Sequence, residues 1–132
     1  MARAFGFELL TPDRVVLEAE VDAVVMRTEG GDIAFLADHV QFIGQVEPCL
    51  LRALRPDQGE LVAAVHGGFV EVRQGRVRVL APVAELPGEI DVARAEQARE
   101  RARAALAADE ADAEAEAALA RAEARLAAAS RA

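Results

Sequence analysis

The chain has 132 residues, of which 53% are hydrophobic and 29% charged, and its formal net charge is −8 at pH 7. This length argues against a two-domain enzyme, and the acidic balance argues against nucleic acid as a partner, because a negative surface repels phosphate backbones. The single cysteine and the lack of a long apolar run or a basic leader predict a soluble, cytoplasmic protein with no segment inserted in a membrane.

Residues 1–88 have the pattern of short β-strands. They contain every Gly, Pro and Phe of the chain, and turn signals such as residues 29–32 (EGGD) separate short apolar segments. Apolar and polar side chains alternate in Phe5–Leu9, Val70–Arg73 and Val77–Val79, as expected of strands with one buried face. About eight strands at this spacing predict an antiparallel sandwich or flattened barrel.

Residues 89–132 have the composition of helices. Alanine accounts for 20 of the 41 residues from 92 to 132, and neither Gly nor Pro occurs there. Asp91 suits a helix N-cap, and the acidic residues at 109–112 suggest an interruption. The pattern predicts helices near 91–107 and 112–130 that form an antiparallel hairpin, and therefore an α+β fold with a boundary near Gly88.

The predicted hairpin has a poor apolar face. Beyond Val92 its only large aliphatic residues are Leu106, Leu119 and Leu126. Alanine buries much less apolar surface than leucine, so we expect weak docking and a second helix that opens before the sandwich unfolds.

The residues available for catalysis are few. His39, His66 and Cys49 do not make a zinc set without carboxylates, and Ser130 is the only serine, so we expect neither a metal site nor a catalytic triad. We interpret His39 as a loop residue, His66 as the end of a strand and Cys49 as a small buried hydrophobe. An enzyme would have to use Glu85 together with His39 or His66.

Arginines in the predicted hairpin form a candidate anion site. Arg101, Arg121 and Arg125 have no acidic residue three or four positions away, whereas Arg94 has Asp91. An antiparallel hairpin places Arg94 about opposite Arg125, with Arg121 between the turns that carry Arg94 and Arg101. The four guanidinium groups would suit a polyphosphate. Alternatively, they only keep an alanine-rich helix soluble.

Three segments carry a resemblance to a known family. Residues 29–39 (EGGDIAFLADH), 65–72 (VHGGFVEV) and 77–81 (VRVLA) closely resemble the epsilon subunit of the bacterial F-type ATP synthase. The resemblance implies an N-terminal antiparallel β-sandwich of ten strands at residues 1–88, followed by a C-terminal antiparallel two-helix hairpin at 89–132. The chain departs from the family at Ala37 and Asp38, where the family commonly has Pro and Gly, so we expect a differently shaped loop at His39.

The resemblance also implies a regulatory ATP site. Family members that bind ATP share a motif that residues 90–95 (IDVARA) match. By that resemblance, the residues that contact the nucleotide are Glu85, Asp91, Arg94, Ala95, Arg101, Arg121 and Arg125. Asp91 also fits a simple N-cap role. No cofactor is required, and ATP would be a regulatory ligand.

The implied function is that of a non-catalytic rotor subunit of the proton-translocating ATP synthase, peripheral on the cytoplasmic face of the bacterial plasma membrane. Its partners would be the gamma subunit of the shaft, the membrane c-ring and, transiently through the hairpin, the catalytic alpha/beta head. A joint with the shaft needs exposed apolar surface on the sandwich.

Residues 89–132 carry seven Arg against ten Asp and Glu, a net charge of −3, so we expect mild inhibition that ATP relieves. A free-standing ATP-sensing adaptor is the alternative.

Overall fold

The computed structural model of the chain describes residues 3–131, which form a β-sandwich followed by a helical hairpin. The strands are β1 (Phe5–Leu10), β2 (Val15–Val21), β3 (Ala23–Thr28), β4 (Gly31–Phe35), β5 (Phe42–Gln45), β6 (Cys49–Arg55), β7 (Gly59–Val65), β8 (Phe69–Arg73), β9 (Arg76–Leu80) and β10 (Ala84–Glu85). A short 3₁₀ turn (Pro87–Glu89) leads into the helices α1 (Val92–Ala108) and α2 (Ala113–Ala129). The predicted fold class is confirmed.

The strands form two five-stranded sheets. The first sheet has the order β2-β1-β9-β8-β5 and the second has the order β10-β7-β6-β3-β4. The ladders between neighbouring strands are antiparallel except for that between β1 and β9, which is parallel. The predicted antiparallel arrangement holds at every described ladder except this one, because the chain returns to the first sheet in the direction of β1.

Alternating side chains from both sheets fill the space between them. Phe7, Leu9, Phe35, Leu51 and Val79 are essentially inaccessible to solvent. Burying a side chain of this size stabilises the fold by about 1.5–3 kcal/mol. The sandwich thus has a continuous apolar core of its own.

Gly68 allows the sharp bend between β7 and β8. Its φ is +113°, and a Cβ there would lie 2.2 Å from the carbonyl oxygen of Leu80. Any other residue would force these backbones apart, so the bend that precedes Phe69 requires glycine.

The helices begin and end within one residue of the predicted bounds. Asp91 and Asp112 are their N-caps, and each carboxylate accepts a hydrogen bond from the backbone N–H three residues later, at 3.1 and 3.0 Å respectively. Both helices thereby satisfy a backbone donor that would otherwise lack a partner.

Helix α2 lies on the outer face of the second sheet, over β6 and β7. Ala124 and Ala128 pack on Ala64, with Leu50 and Ile90 beside them. The leucines expected to be anchors are only half-buried: Leu106, Leu119 and Leu126. Small alanines form the buried centre of this contact because they let the helix approach the sheet closely.

Candidate functional site

A shared carboxylate joins the hairpin to the sandwich. Oε1 of Glu85, on β10, lies 2.7 Å from Nε2 of His66, which follows β7. The same oxygen accepts a hydrogen bond from Nε of Arg125, on α2, also at 2.7 Å. The side chain of His66 is only 4% exposed and that of Glu85 is 25% exposed. Three residues from separate elements therefore meet at one oxygen. We call Glu85, His66 and Arg125 the Glu85 cluster.

Burial and hydrogen bonding set the charges of this cluster. Partial burial alone would raise the pKa of Glu85, but the hydrogen bonds from Arg125 and His66 outweigh it and hold the pKa below its usual range. Burial lowers the pKa of His66; the hydrogen bond to Glu85 opposes this, while Arg125 and Arg121 reinforce it. Around neutral pH the cluster therefore consists of a carboxylate, a neutral imidazole and a guanidinium.

The tautomer of His66 follows from its partner. A carboxylate only accepts hydrogen bonds, so Nε2 carries the proton and donates a hydrogen bond to Glu85. Nδ1 is buried and has no hydrogen-bond partner among residues 3–131. The sequence analysis paired His66 with Glu85 only for an enzyme and did not predict the contact with the hairpin, because a strand pattern does not show which helix packs nearby.

The motif at residues 90–95 forms the start of α1. Asp91 is exposed and uses its carboxylate to cap the helix, whereas Ala95 is buried. The Pro87–Glu89 turn just before it packs against α2. Asp91 therefore acts as the N-cap through Oδ1, and its Oδ2 accepts no hydrogen bond within residues 3–131.

The four candidate arginines divide into two pairs. Arg94 and Arg101 are exposed, and neither makes a side-chain ion pair within residues 3–131. Arg121 contacts Glu114, seven residues earlier, at 3.3 Å, and Arg125 contacts Glu85. The sequence analysis missed both partners, because it considered acidic residues only three or four positions away, whereas Glu114 lies two helical turns from Arg121 and Glu85 lies on another element.

A second ion-pair network holds the end of α2. Oε1 of Glu60, on β7, accepts a hydrogen bond from Nη1 of Arg131 at 2.6 Å, and Oε2 accepts one from Nε of Arg52 at 2.7 Å. The hydrogen bonds from Arg52 and Arg131 lower the pKa of Glu60. Sequence reasoning missed this contact, because nothing local links residues 71 positions apart.

The outer face of the first sheet carries an exposed apolar row. Leu10 lies opposite Val15 in one ladder and opposite Leu80 in the next, and Leu80 lies opposite Phe69. Phe69, Val15 and Leu80 are 57%, 55% and 49% exposed. A cross-strand row of this kind is typical of an interaction surface. We call these four residues the apolar row.

Charged side chains lie beside the apolar row. Glu8 lies opposite Glu18 on one side and Arg78 on the other, and Arg78 lies opposite Glu71. Oε1 of Glu8 accepts hydrogen bonds from Arg76 and Arg78 at 3.2–3.3 Å. The face therefore offers apolar contact in one strip and fixed charges in the next.

The remaining candidates have structural roles. Nδ1 of His39 lies 2.8 Å from the carbonyl oxygen of Val40, and its ring stands edge-on to Phe35 and Phe42, so its predicted place in a loop is confirmed. Cys49 is buried, and burial raises the pKa of its thiol.

Among residues 3–131 no group of three His, Cys, Asp or Glu is placed to hold a metal ion. Within the same residues, no helix is both long and apolar enough to cross a membrane.

Comparison with known proteins gives one family. Residues 4–87 match the model of the ATP synthase delta/epsilon chain β-sandwich domain. The chain is 47% identical over 98 residues to an ATP synthase epsilon chain of Desulforudis audaxviator, covering 74% of this chain and 71% of the relative. It is 40% identical over 104 residues to that of Streptomyces griseus, covering 79% and 84%.

Two solved ATP synthase structures contain a chain of similar fold. A chain in the cryo-EM structure of the Euglena gracilis mitochondrial ATP synthase (OSCP/F1/c-ring) matches with a TM-score of 0.79 and 28% identity, covering 96% of this chain and 81% of that chain. A chain of the Tetrahymena thermophila mitochondrial ATP synthase central stalk and c-ring matches with a TM-score of 0.54 and 13% identity, over 71% of each chain, which supports the fold alone.

Proposed function

This chain belongs to the family of ATP synthase epsilon chains, and from that membership we propose that it is a non-catalytic rotor subunit. It couples rotation of the membrane c-ring to ATP synthesis through a permanent joint between the sandwich and the gamma subunit of the shaft. It lies peripherally on the cytoplasmic face of a bacterial plasma membrane. Its hairpin reaches the alpha/beta head only transiently and modulates ATP hydrolysis there.

The apolar row is the observation that supports the joint. Val15, Leu10, Leu80 and Phe69 form a continuous strip on the face of the sandwich opposite the hairpin. Because this strip lies on the first sheet, the shaft and the hairpin occupy different faces. Movement of the hairpin therefore leaves the joint intact.

Co-purification with the gamma subunit tests the joint. Phe69→Glu puts a charge in the apolar row, and we expect it to abolish co-purification; Val92→Glu, which charges an exposed apolar side chain on α1, is the matched control. A chain ending at Gly88 keeps every strand and should still bind. Loss of binding on this truncation, or normal binding by Phe69→Glu, would contradict the proposal.

The hairpin is the proposed regulatory ATP site. Arg94, Arg101, Arg121 and Arg125 hold the polyphosphate, and Glu85, Asp91 and Ala95 complete the site. The open guanidinium groups of Arg94 and Arg101 support this assignment. Arg125 supports it as well: Glu85 fixes its Nε, which leaves the terminal nitrogens to donate to a phosphate.

Calorimetry of the isolated chain with ATP tests the site. We expect binding without hydrolysis, and Arg101→Ala should weaken it by about 1–3 kcal/mol, the scale of a charge-assisted hydrogen bond. Arg103→Ala is the control, because Arg103 already pairs with Glu100 at 3.5 Å. AMP, which lacks the polyphosphate, should bind far more weakly. A flat titration at millimolar ATP would exclude the site.

Regulation follows from the same residues. The family resemblance implies that a basic hairpin meets acidic segments of the head. A hairpin of net charge −3 gains little attraction from such segments, and ATP occupies the arginines that would make the contact. ATP hydrolysis by the complex should therefore rise less than about tenfold, or 1.4 kcal/mol, when the subunit ends at Gly88. A larger rise would show strong inhibition by the hairpin.

A further inference from the structure

His66 is a buried titratable group at the contact between the hairpin and the sandwich. Its Nε2 and the Nε of Arg125 use the same oxygen of Glu85. We propose that His66 is a pH-sensitive latch whose protonation releases the hairpin from the sandwich. This inference requires neither ATP binding nor attachment to a rotor.

The geometry leaves no place for a second proton on the docked imidazole. Protonation would put a hydrogen on Nδ1, which is buried and has no acceptor among residues 3–131. A buried donor without a partner is costly. The docked state therefore favours neutral His66.

Positive charge on α2 acts in the same direction, and Glu85 on β10 opposes it. The charged groups that face it are Glu85 from β10 and Arg125 and Arg121 from α2. The hydrogen bond to Glu85 favours an imidazolium, but Oε1 of Glu85 shares its charge with Arg125 in the docked state. A positive His66 would thus face two positive side chains on the helix that it helps to hold.

The direction of the pH effect depends on which charged groups leave His66 when the hairpin undocks. In the docked state burial and the two arginines lower the pKa of His66. When α2 departs, Arg125 and Arg121 depart with it while Glu85 stays, so the pKa rises. A group whose pKa is lower in the docked state stabilises docking above its undocked pKa, and that stabilisation is lost as the pH falls towards the docked pKa. In the docked state the carboxyl of Glu85 stays ionised across this window, because the hydrogen bonds from Arg125 and His66 hold its pKa below the usual range.

Amide hydrogen exchange of the full chain tests the latch. Between about pH 7.5 and 5.5, the range in which histidine titrates, the opening constant of α2 should rise about threefold or more after correction for intrinsic exchange rates. His66→Gln keeps a donor for Glu85 but does not titrate, so its opening constant should be flat. His39→Gln, which removes the other histidine of the chain, should behave like the wild type. A flat wild type, or an unchanged pH dependence in His66→Gln, would overturn the proposal.

A second measurement tests the proposal even if the hairpin of His66→Gln does not dock on the sandwich. The imidazole of His66 can be titrated by NMR in the wild type and in Arg125→Gln. Removing the guanidinium should raise the pKa of His66, because a positive neighbour is lost and Glu85 becomes free to hold the imidazolium. An unchanged or lower pKa would overturn the latch.

Discussion

The sandwich and the hairpin of this protein are built on different kinds of contact. The sandwich buries large side chains such as Phe7, Leu51 and Val79 between two sheets. The hairpin touches the sandwich through small alanines and through ion pairs at Glu85 and Glu60. Ion pairs that water reaches contribute little, and alanine buries little surface, so we expect the sandwich to be a fixed body and the hairpin to be separable from it.

The largest expected contrast is between leucines of the two parts. Leu51→Ala should lower the free energy of unfolding of the sandwich by about 2–5 kcal/mol, because it opens a cavity in a closed core. Leu126→Ala, in the half-buried position on α2, should cost less than about 1 kcal/mol. Urea denaturation measures both, and equal losses would mean that the hairpin belongs to the same cooperative unit.

Local opening should distinguish the two parts in the unmodified chain. We expect backbone amides within α2 to exchange at least about 100-fold faster than those of Val77 and Val79 in β9, a difference of about 2.7 kcal/mol in opening free energy. Hydrogen exchange at one pH provides the measurement. A common opening rate would contradict separability.

A larger side chain at the alanine contact should undock the hairpin. Ala128 is fully buried against the sheet, so Ala128→Leu should destabilise docking by about 1–3 kcal/mol. Ala107→Leu adds the same atoms at an exposed position of α1 and should leave docking unchanged. Exchange of α2 amides reports docking, and amides of the sandwich core should not respond in either variant.

The smallest expected effect concerns the ion pair at the end of α2. Glu60→Gln removes the charge that holds Arg131 and Arg52, and it should weaken docking by about 0.2–1 kcal/mol at low salt and by less at high salt. Glu123→Gln is the control, since Glu123 is exposed and makes no ion pair within residues 3–131. A salt-independent effect would show that packing, and not charge, is lost.

The sequence alone determined the elements and the family. Alternation of apolar residues indicated the strands, and the alanine-rich composition with Asp91 as N-cap indicated the helices, to within one residue at each end. These signals are local, because strand periodicity and capping depend on residues a few positions apart. The family assignment rested on motifs of the same short range, and it is confirmed.

Only the tertiary structure decided which elements meet. It paired β1 with β9 in parallel, and it brought Arg125 to a carboxylate 40 positions away and Arg131 to one 71 positions away. It also placed His66, interpreted as the end of a strand, on the same oxygen of Glu85 that binds Arg125 of α2. Such contacts depend on how the faces of separate elements pack, and residue spacing along the chain does not encode that arrangement.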